Sequence, residues 1–452
     1  MIPIYYTARD GQQIQALRDR LSLRPLLQQG LGLGHDDEDA VTGVATGASK
    51  FKIVRDILQA VQQRGDAAVF DYTEKFEKVR LTPDTMRVSP TQIAVAVQAA
   101  SPELIRALDI ASANVRAYQT AMLTPEPKPM RAPGGGPESL LGVKYTPLER
   151  VGLYVPGGAA AYPSSVVMTA VPAQVAGVKE LCLCSPLRNG VVAPAVLVAA
   201  AWVGVTEIYG IGGAQAIAAM AFGTATIKAV DKIVGPGNTY VQLAKKELYG
   251  IVDIDSFAGP SEVIVLADDS AEPEPVAAEL LAQAEHAPGS CLLITASAEL
   301  AERVKAELER QLAELSRRTL TVEALKFASA LIVTETHGQA IELVDAFAPE
   351  HLQITTRDSA GDARRVKHAG ATFIGPYTPV AAGDYLAGPS HVLPTSGTAR
   401  FFSGLSAESF RKRTSLIQLD KAALAAMRQP IVDLATVEGF DAHAKSVIAR
   451  DF

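Results

Sequence analysis

Four short stretches of the sequence hold residue types that can move protons or bind a metal. In PEPVAAELLAQAEHAPG, a helical pattern opens on prolines and acids and closes at Pro288-Gly289. Gln283 and His286 stand three apart there and share one helical face. A metal would take a nitrogen from His286 and an oxygen from Gln283. A glutamine ligand is unusual, and spacing alone favours a histidine that caps its own helix end. In FAPEHLQI, Glu350 and His351 are adjacent at the start of a short apolar run. Such a pair can divide general-base work between two steps; the plainer reading is a surface pair before a strand. GPYTPVAAGDYLAGPSH is a Gly- and Pro-rich loop. Its Asp384 is a possible oxygen ligand and its His391 a possible substrate contact, against the alternative of an aspartate that bonds its own turn. Near the C-terminus, Glu438 and His443 in EGFDAH are placed to reach a ligand together, or simply form a solvated helix start. The remaining histidines, His35, His337 and His368, lie in polar stretches and receive no role.

The elements that must position these residues alternate. Apolar runs at 151–155, 180–184, 207–211, 232–234, 262–267, 291–295, 330–333, 352–355 and 371–374 read as strands, most of them separated by helical patterns. This is the texture of an α/β protein with mainly parallel sheet, and nine strands suit two α/β domains. The first 125 residues read mostly as helices, at 51–64, 93–99 and 104–117. A Gly-, Asp- and Thr-rich loop is expected over 28–49 and a linker over 124–137. After residue 417 the chain reads as helix again, at 421–427, 431–434 and 439–450.

Composition narrows the function. The 452 residues are 48% hydrophobic and 20% charged, which excludes global disorder. A net charge of -7 argues against a nucleic-acid binder. Three cysteines cannot build a disulfide framework, and the start of the chain shows no basic stretch followed by an apolar one, so a cytoplasmic protein is expected. The most apolar run, 191–205, is too short for a bilayer and contains Pro194; a buried helix is expected there and no membrane partner. Cys182, Cys184 and Cys291 fall in apolar strands, where thiols are usually inert, so no thiol adduct is expected in catalysis. Two glycine turns, Gly210-Ile211-Gly212-Gly213-Ala214-Gln215 and Gly235-Pro236-Gly237-Asn238-Thr239-Tyr240, fail the dinucleotide fingerprint at its sixth position. Their backbone amides are still placed to hold a phosphate.

Longer blocks carry a resemblance. ERVGLYVPGGAAAYPSSVVM, IYGIGGAQAIAAMAFGT, DKIVGPGNTYV, AGPSEVIVLAD, LLAQAEHAP, APEHLQI, GDYLAGPSHVLPTSGTARFFSGLS and EGFDAH occur in order from about residue 50 onward. On these the chain resembles the histidinol dehydrogenase family. The resemblance implies a zinc site at Gln283, His286, Asp384 and His443, an acid–base pair at Glu350 and His351, and substrate contacts at Ser261, His391 and Glu438 besides the metal ligands and His351. It implies NAD contacts at Tyr154, Gln215 and Asn238. It implies oxidation of L-histidinol to L-histidine through L-histidinaldehyde, with zinc and two NAD, in a homodimer that exchanges segments so that Glu438 and His443 serve the partner. The alternative is a superfamily relative acting on another small alcohol. Two incomplete Rossmann-like, mainly parallel sheet domains are implied, with small helical N- and C-terminal segments. The expected division is 1–150 for the N-terminal helices and the first part of a discontinuous domain, 151–261 for the NAD-side domain, 262–383 for the rest of the first domain, and 384–452 for a C-terminal segment at the dimer and zinc site.

Overall fold

Runs of β-branched and aliphatic residues form parallel strands where helices cover both faces of a sheet. Ser261–Ala267, Gly289–Thr295 and Ala330–Val333 are buried along almost their whole length. In the computed structural model, which describes residues 2–22, 27–28, 47–157, 160–256, 261–286 and 289–450, they belong to a six-stranded sheet. Its order is Ile4–Tyr6, Ala330–Val333, Gly289–Thr295, Ser261–Ala267, His351–Thr355, Ala371–Ile374, and every pairing is parallel. A five-stranded sheet runs Glu207–Tyr209, Glu180–Cys184, Arg150–Tyr154, Lys232–Val234, Asp253–Ile254, again all parallel. Leaving Ile4–Tyr6 aside, both sheets follow the chain order third, second, first, fourth, fifth. That is a doubly wound Rossmann order without its sixth strand, the incomplete Rossmann-like α/β fold expected from the sequence. Each sheet has a switch point beside its first strand: between Arg150–Tyr154 and Lys232–Val234 in one, and between Ser261–Ala267 and His351–Thr355 in the other.

All nine expected strands are present, four with the expected ends and the others with ends moved by one or two residues. The run 191–205 contains the helix Pro194–Trp202, whose Val196, Leu197, Val198, Ala199 and Ala200 are buried. Among the described residues no helix is long and apolar enough to cross a membrane. The structure departs from expectation in the polar parts. Arg411–Gln418 pairs antiparallel with Leu140–Pro147, and Met130–Arg131, inside the expected linker, adds a short third strand. The residues Arg411–Gln418 are exposed or half-buried throughout, so they carry no apolar alternation to betray a strand. The C-terminal helix is continuous over Lys421–Val437 instead of broken at Pro430. Pro430 lies on its exposed side, where the one lost backbone bond is tolerable. The loop expected over 28–49, with His35, falls largely outside the described residues.

Candidate active site

A crossover helix between parallel strands runs antiparallel to them, so its C-terminal end returns to the amino edge of the sheet. The helix Pro273–Ala284 leaves Ser261–Ala267 and delivers Gln283 and His286 just ahead of Gly289–Thr295. Gly289 is required at that return: a Cβ there would stand 2.3 Å from the carbonyl oxygen of Gln283. The helix His337–Phe347 delivers Glu350 and His351 to the same edge. Register places His351 beside Val263 and Ser261 beside Gly289. The acid–base candidates thus gather at the switch point of the six-stranded sheet, on its amino side.

The pair is tightly bound into this edge. Glu350 and His351 are 6% and 3% exposed. The Glu350 carboxylate accepts from the Ser261 hydroxyl at 2.8 Å and from the Glu262 amide at 2.9 Å. Burial pushes Glu350 up to about 8 against these hydrogen bonds, with the charge of Asp384 adding to the rise. His351 Nδ1 lies 3.1 Å from the Glu262 carbonyl oxygen, which assigns the ring proton to Nδ1. That leaves Nε2 with a free lone pair. It is buried without a hydrogen-bond partner, 3.7 Å from Asp384 Oδ1. Burial holds the imidazole below its ordinary pKa, in the neutral form a base needs.

Glu262 is one residue that sequence reasoning missed. Its own carboxylate accepts from the amides of Glu350, at 3.3 Å, and Ser396, at 2.8 Å. Burial and the neighbouring Glu350 push it up to about 8. Backbone and side chain together fix both members of the pair. Its only sequence signal is its place directly after Ser261. A Glu262→Ala substitution leaves two amides without acceptors, at about 1–3 kcal/mol each where buried, and frees the pair to shift. Loss of kcat by about 10²-fold with little change in KM is expected, with substantial recovery in Glu262→Gln; equal losses in both variants would contradict a positioning role.

The opposite wall comes from the five-stranded sheet. A cavity of about 310 Å³ is lined by Ser261, His286, Glu350, His351, Asp384, Tyr385 and His391 on one side. On the other stand Pro156, Tyr162, Ser164 and Ser165, and Pro236 to Thr239. Those two loops leave the carboxyl ends of Arg150–Tyr154 and Lys232–Val234, the switch point where doubly wound sheets bind ligands. His391 ties the walls together: Nδ1 meets the carbonyl oxygen of Asp384 at 2.9 Å and Nε2 the hydroxyl of Ser165 at 3.1 Å. Ser165 is a second residue the sequence reading missed.

The histidinol dehydrogenase family model matches residues 44–451. The chain belongs to the histidinol dehydrogenase family. It is 46% identical to the histidinol dehydrogenase of Rhodopirellula baltica over 441 residues, covering 97% of this chain and 94% of that one. It is 49% identical to that of a Synechococcus species, over 88% of this chain and 91% of the relative. The crystal structure of histidinol dehydrogenase from Elizabethkingia anophelis superposes with a TM-score of 0.87 at 33% identity, covering 99% and 97% of the two chains.

Against the residues expected for a histidinol dehydrogenase, the placement is uneven. His286 and Asp384 line the cavity. Gln283 is 4% exposed, and its amide Nε2 is buried without a partner. Nitrogen from His286 and oxygens from Asp384 and the Gln283 amide are ligand types that fit zinc. Burial also keeps His286 below its ordinary pKa, in the neutral form that binds metal. His443 does not line this cavity; it is exposed on the helix Asp441–Ile448, its ring 5.2 Å from that of Phe440. Glu438 is likewise exposed at the end of Lys421–Val437. Among the described residues no group of three or more His, Cys, Asp or Glu is close enough to hold a metal. Of the expected NAD contacts, Asn238 lines the cavity, whereas Tyr154 and Gln215 are 2% and 1% exposed. The three cysteines are buried, and burial pushes Cys182 and Cys291 up to about 12. None lines the cavity.

Proposed function

We propose that the chain oxidises L-histidinol to L-histidine through L-histidinaldehyde, in two successive NAD-dependent steps at this cavity. The observation that carries the reading is the buried Glu350–His351 pair with an unpartnered Nε2 facing Asp384. Zinc, when bound, supplies a Lewis-acidic anchor that orients the substrate's imidazole and amino nitrogens. NAD, when bound, supplies the hydride acceptor for both steps. Gln283, His286, Asp384 and His443 would hold the metal, and Tyr154, Gln215 and Asn238 would meet the dinucleotide. Ser261, His391 and Glu438 would contact the substrate beside them.

The chain's own residues do the proton work. His351 takes the hydroxyl proton at Nε2 as the carbon becomes an aldehyde, while the Glu262 carbonyl steadies the resulting imidazolium through Nδ1. Glu350 then removes a proton from the water that adds to the aldehyde, and Ser261 holds the carboxylate in place. The His351 imidazolium returns its proton to the former carbonyl oxygen as the hydrate forms, and the neutral ring then takes a hydrate hydroxyl proton as the carbon loses its second hydride to the acceptor. The inert cysteines leave this hydrate route without a thiol competitor on the chain.

We further infer that a second copy of the chain completes the site through Glu438 and His443. Support comes from their absence from the cavity lining and from the apolar side chains displayed around them: Val437 is 87% exposed, Leu434 65% and Phe440 52%. Limiting L-histidinol with excess NAD should yield two NADH per substrate when absorbance is followed to completion. Absence of NADH from zinc-loaded protein would sink the histidinol reading and direct attention to other alcohols.

A further inference from the structure

The glycine turn after Glu207–Tyr209 has the look of a phosphate seat. Gly212 caps the ten-residue helix Gly213–Phe222, and Gly213 has a left-handed φ of 65°. The amides of this turn and its neighbour are nevertheless engaged within the chain. The helix Asp66–Glu77 ends by inserting the Glu77 carboxylate between the ends of two strands. One oxygen accepts from the Leu187 amide at 2.6 Å and the other from the Gly212 amide at 3.0 Å. The Gly213 amide donates to the Tyr154 hydroxyl at 3.1 Å, and the Gly210 amide to the Met86 carbonyl at 2.8 Å. Among the described residues Glu77 forms no ion pair, so amides and the helix end are its counter-charge.

The glycine is held between a proline and this carboxylate. A Cβ on Gly212 would lie 2.5 Å from Pro186 and 3.1 Å from Glu77 Oε1. Gly212 is therefore needed first for close packing against Pro186, and the same absence of a side chain lets the Glu77 carboxylate reach the turn's amide, where a dinucleotide fingerprint would admit pyrophosphate. The side chain of Gln215 adds a second sign. It is 1% exposed, its Oε1 is buried without a partner, and that oxygen folds back to within 2.7 Å of where a Gly213 Cβ would stand. An unpartnered buried acceptor at this turn calls for a donor, and an ionised phosphate brings none. The other glycine turn is occupied in the same manner. The Gly235 amide donates to Asp255, whose carboxylate also pairs with the buried Lys245. Asn238 Oδ1 accepts from the amides of Tyr240 and Val241.

We propose that Glu77 is a built-in anion that closes the 210–213 turn to phosphate, so that the part of the dinucleotide meeting this turn is a hydrogen-bond donor, a ribose hydroxyl or an amino group, and not the diphosphate. The second half of this statement rests on NAD binding as proposed above; the first half does not. Pyrophosphate is the probe. Isothermal titration of wild-type protein with pyrophosphate at millimolar concentration sets the baseline for all other phosphate seats on the protein, and NADH binding is followed by its fluorescence. Glu77→Ala, with its fold checked by circular dichroism, should bind pyrophosphate at least about tenfold more tightly than wild type, because the vacated amides and helix end then face an anion-sized gap. Should Glu77→Ala fail to fold, Glu77→Gln removes the charge while keeping an acceptor, and its pyrophosphate affinity should still exceed that of wild type. A folded variant that binds pyrophosphate no better than wild type would overturn the proposal. If wild type binds no NADH, the cofactor reading fails, and the pyrophosphate comparison still decides whether Glu77 closes the turn.

Discussion

In a His351→Asn variant, turnover of L-histidinol should fall by about 10²–10⁴-fold, the usual worth of a positioned proton transfer. Both oxidation steps should suffer, because each needs the lone pair on Nε2. Asparagine keeps a polar group near the Glu262 carbonyl, so the strand start at 351 should hold and zinc content should stay near wild type. Glu350→Gln should behave differently. Its carboxylate is needed only for water addition, so the first oxidation survives and NADH stops at one per substrate. The pH profile separates the two roles. Burial and the charge of Asp384 push Glu350 up to about 8, and the ionised form is the working one. The second step should therefore quicken as pH rises through that value, and this limb should vanish in Glu350→Gln. His351 is held below its ordinary pKa, so it is already neutral across that range and adds no alkaline limb of its own. Steady-state rates and NADH yields in both variants decide the matter, and unchanged turnover in both would remove the mechanism.

What could be seen in the sequence was local. The nine expected strands announce themselves because their apolar residues are contiguous and helical patterns separate most of them. Glu350 and His351 are adjacent, and Gln283 and His286 lie one helical turn apart, so a single window contains each pair. Long-range partners left no trace. Glu262 meets the amide of Glu350 88 residues away, and Ser165 meets His391 226 residues away. The Glu77 carboxylate reaches Gly212 over 135 residues, so a glycine turn that fails the dinucleotide fingerprint gives no hint of what occupies it. The ribbon of Leu140–Pro147 and Arg411–Gln418 was hidden twice, by polar composition and by the length of chain between its strands. Ile4–Tyr6 has three residues and half-buried side chains, too little for any periodicity.

Mixing two inactive variants should restore activity if the site is shared between protomers. His351→Asn damages the cavity wall, and His443→Asn damages the exposed C-terminal segment; each alone should give an inactive protein, the second with reduced zinc. In a mixed dimer, one cavity pairs an intact wall from the His443→Asn chain with an intact C-terminal segment from the His351→Asn chain. The other cavity carries both lesions. Random reassortment makes half the dimers mixed, each with one working site, so recovery should approach about a quarter of wild-type activity. A site built within one chain predicts no recovery, since every cavity would keep one lesion. The structure favours the shared arrangement on two grounds. His443 and Glu438 stand outside the cavity lining, and Val437, Leu434 and Phe440 beside them display apolar surface to solvent. A patch of that kind, rimmed by polar residues, marks an interaction surface. Co-refolding the two variants and assaying NADH production against each alone makes the comparison, and the double variant His351→Asn/His443→Asn mixed with either single variant serves as the control that should remain inactive.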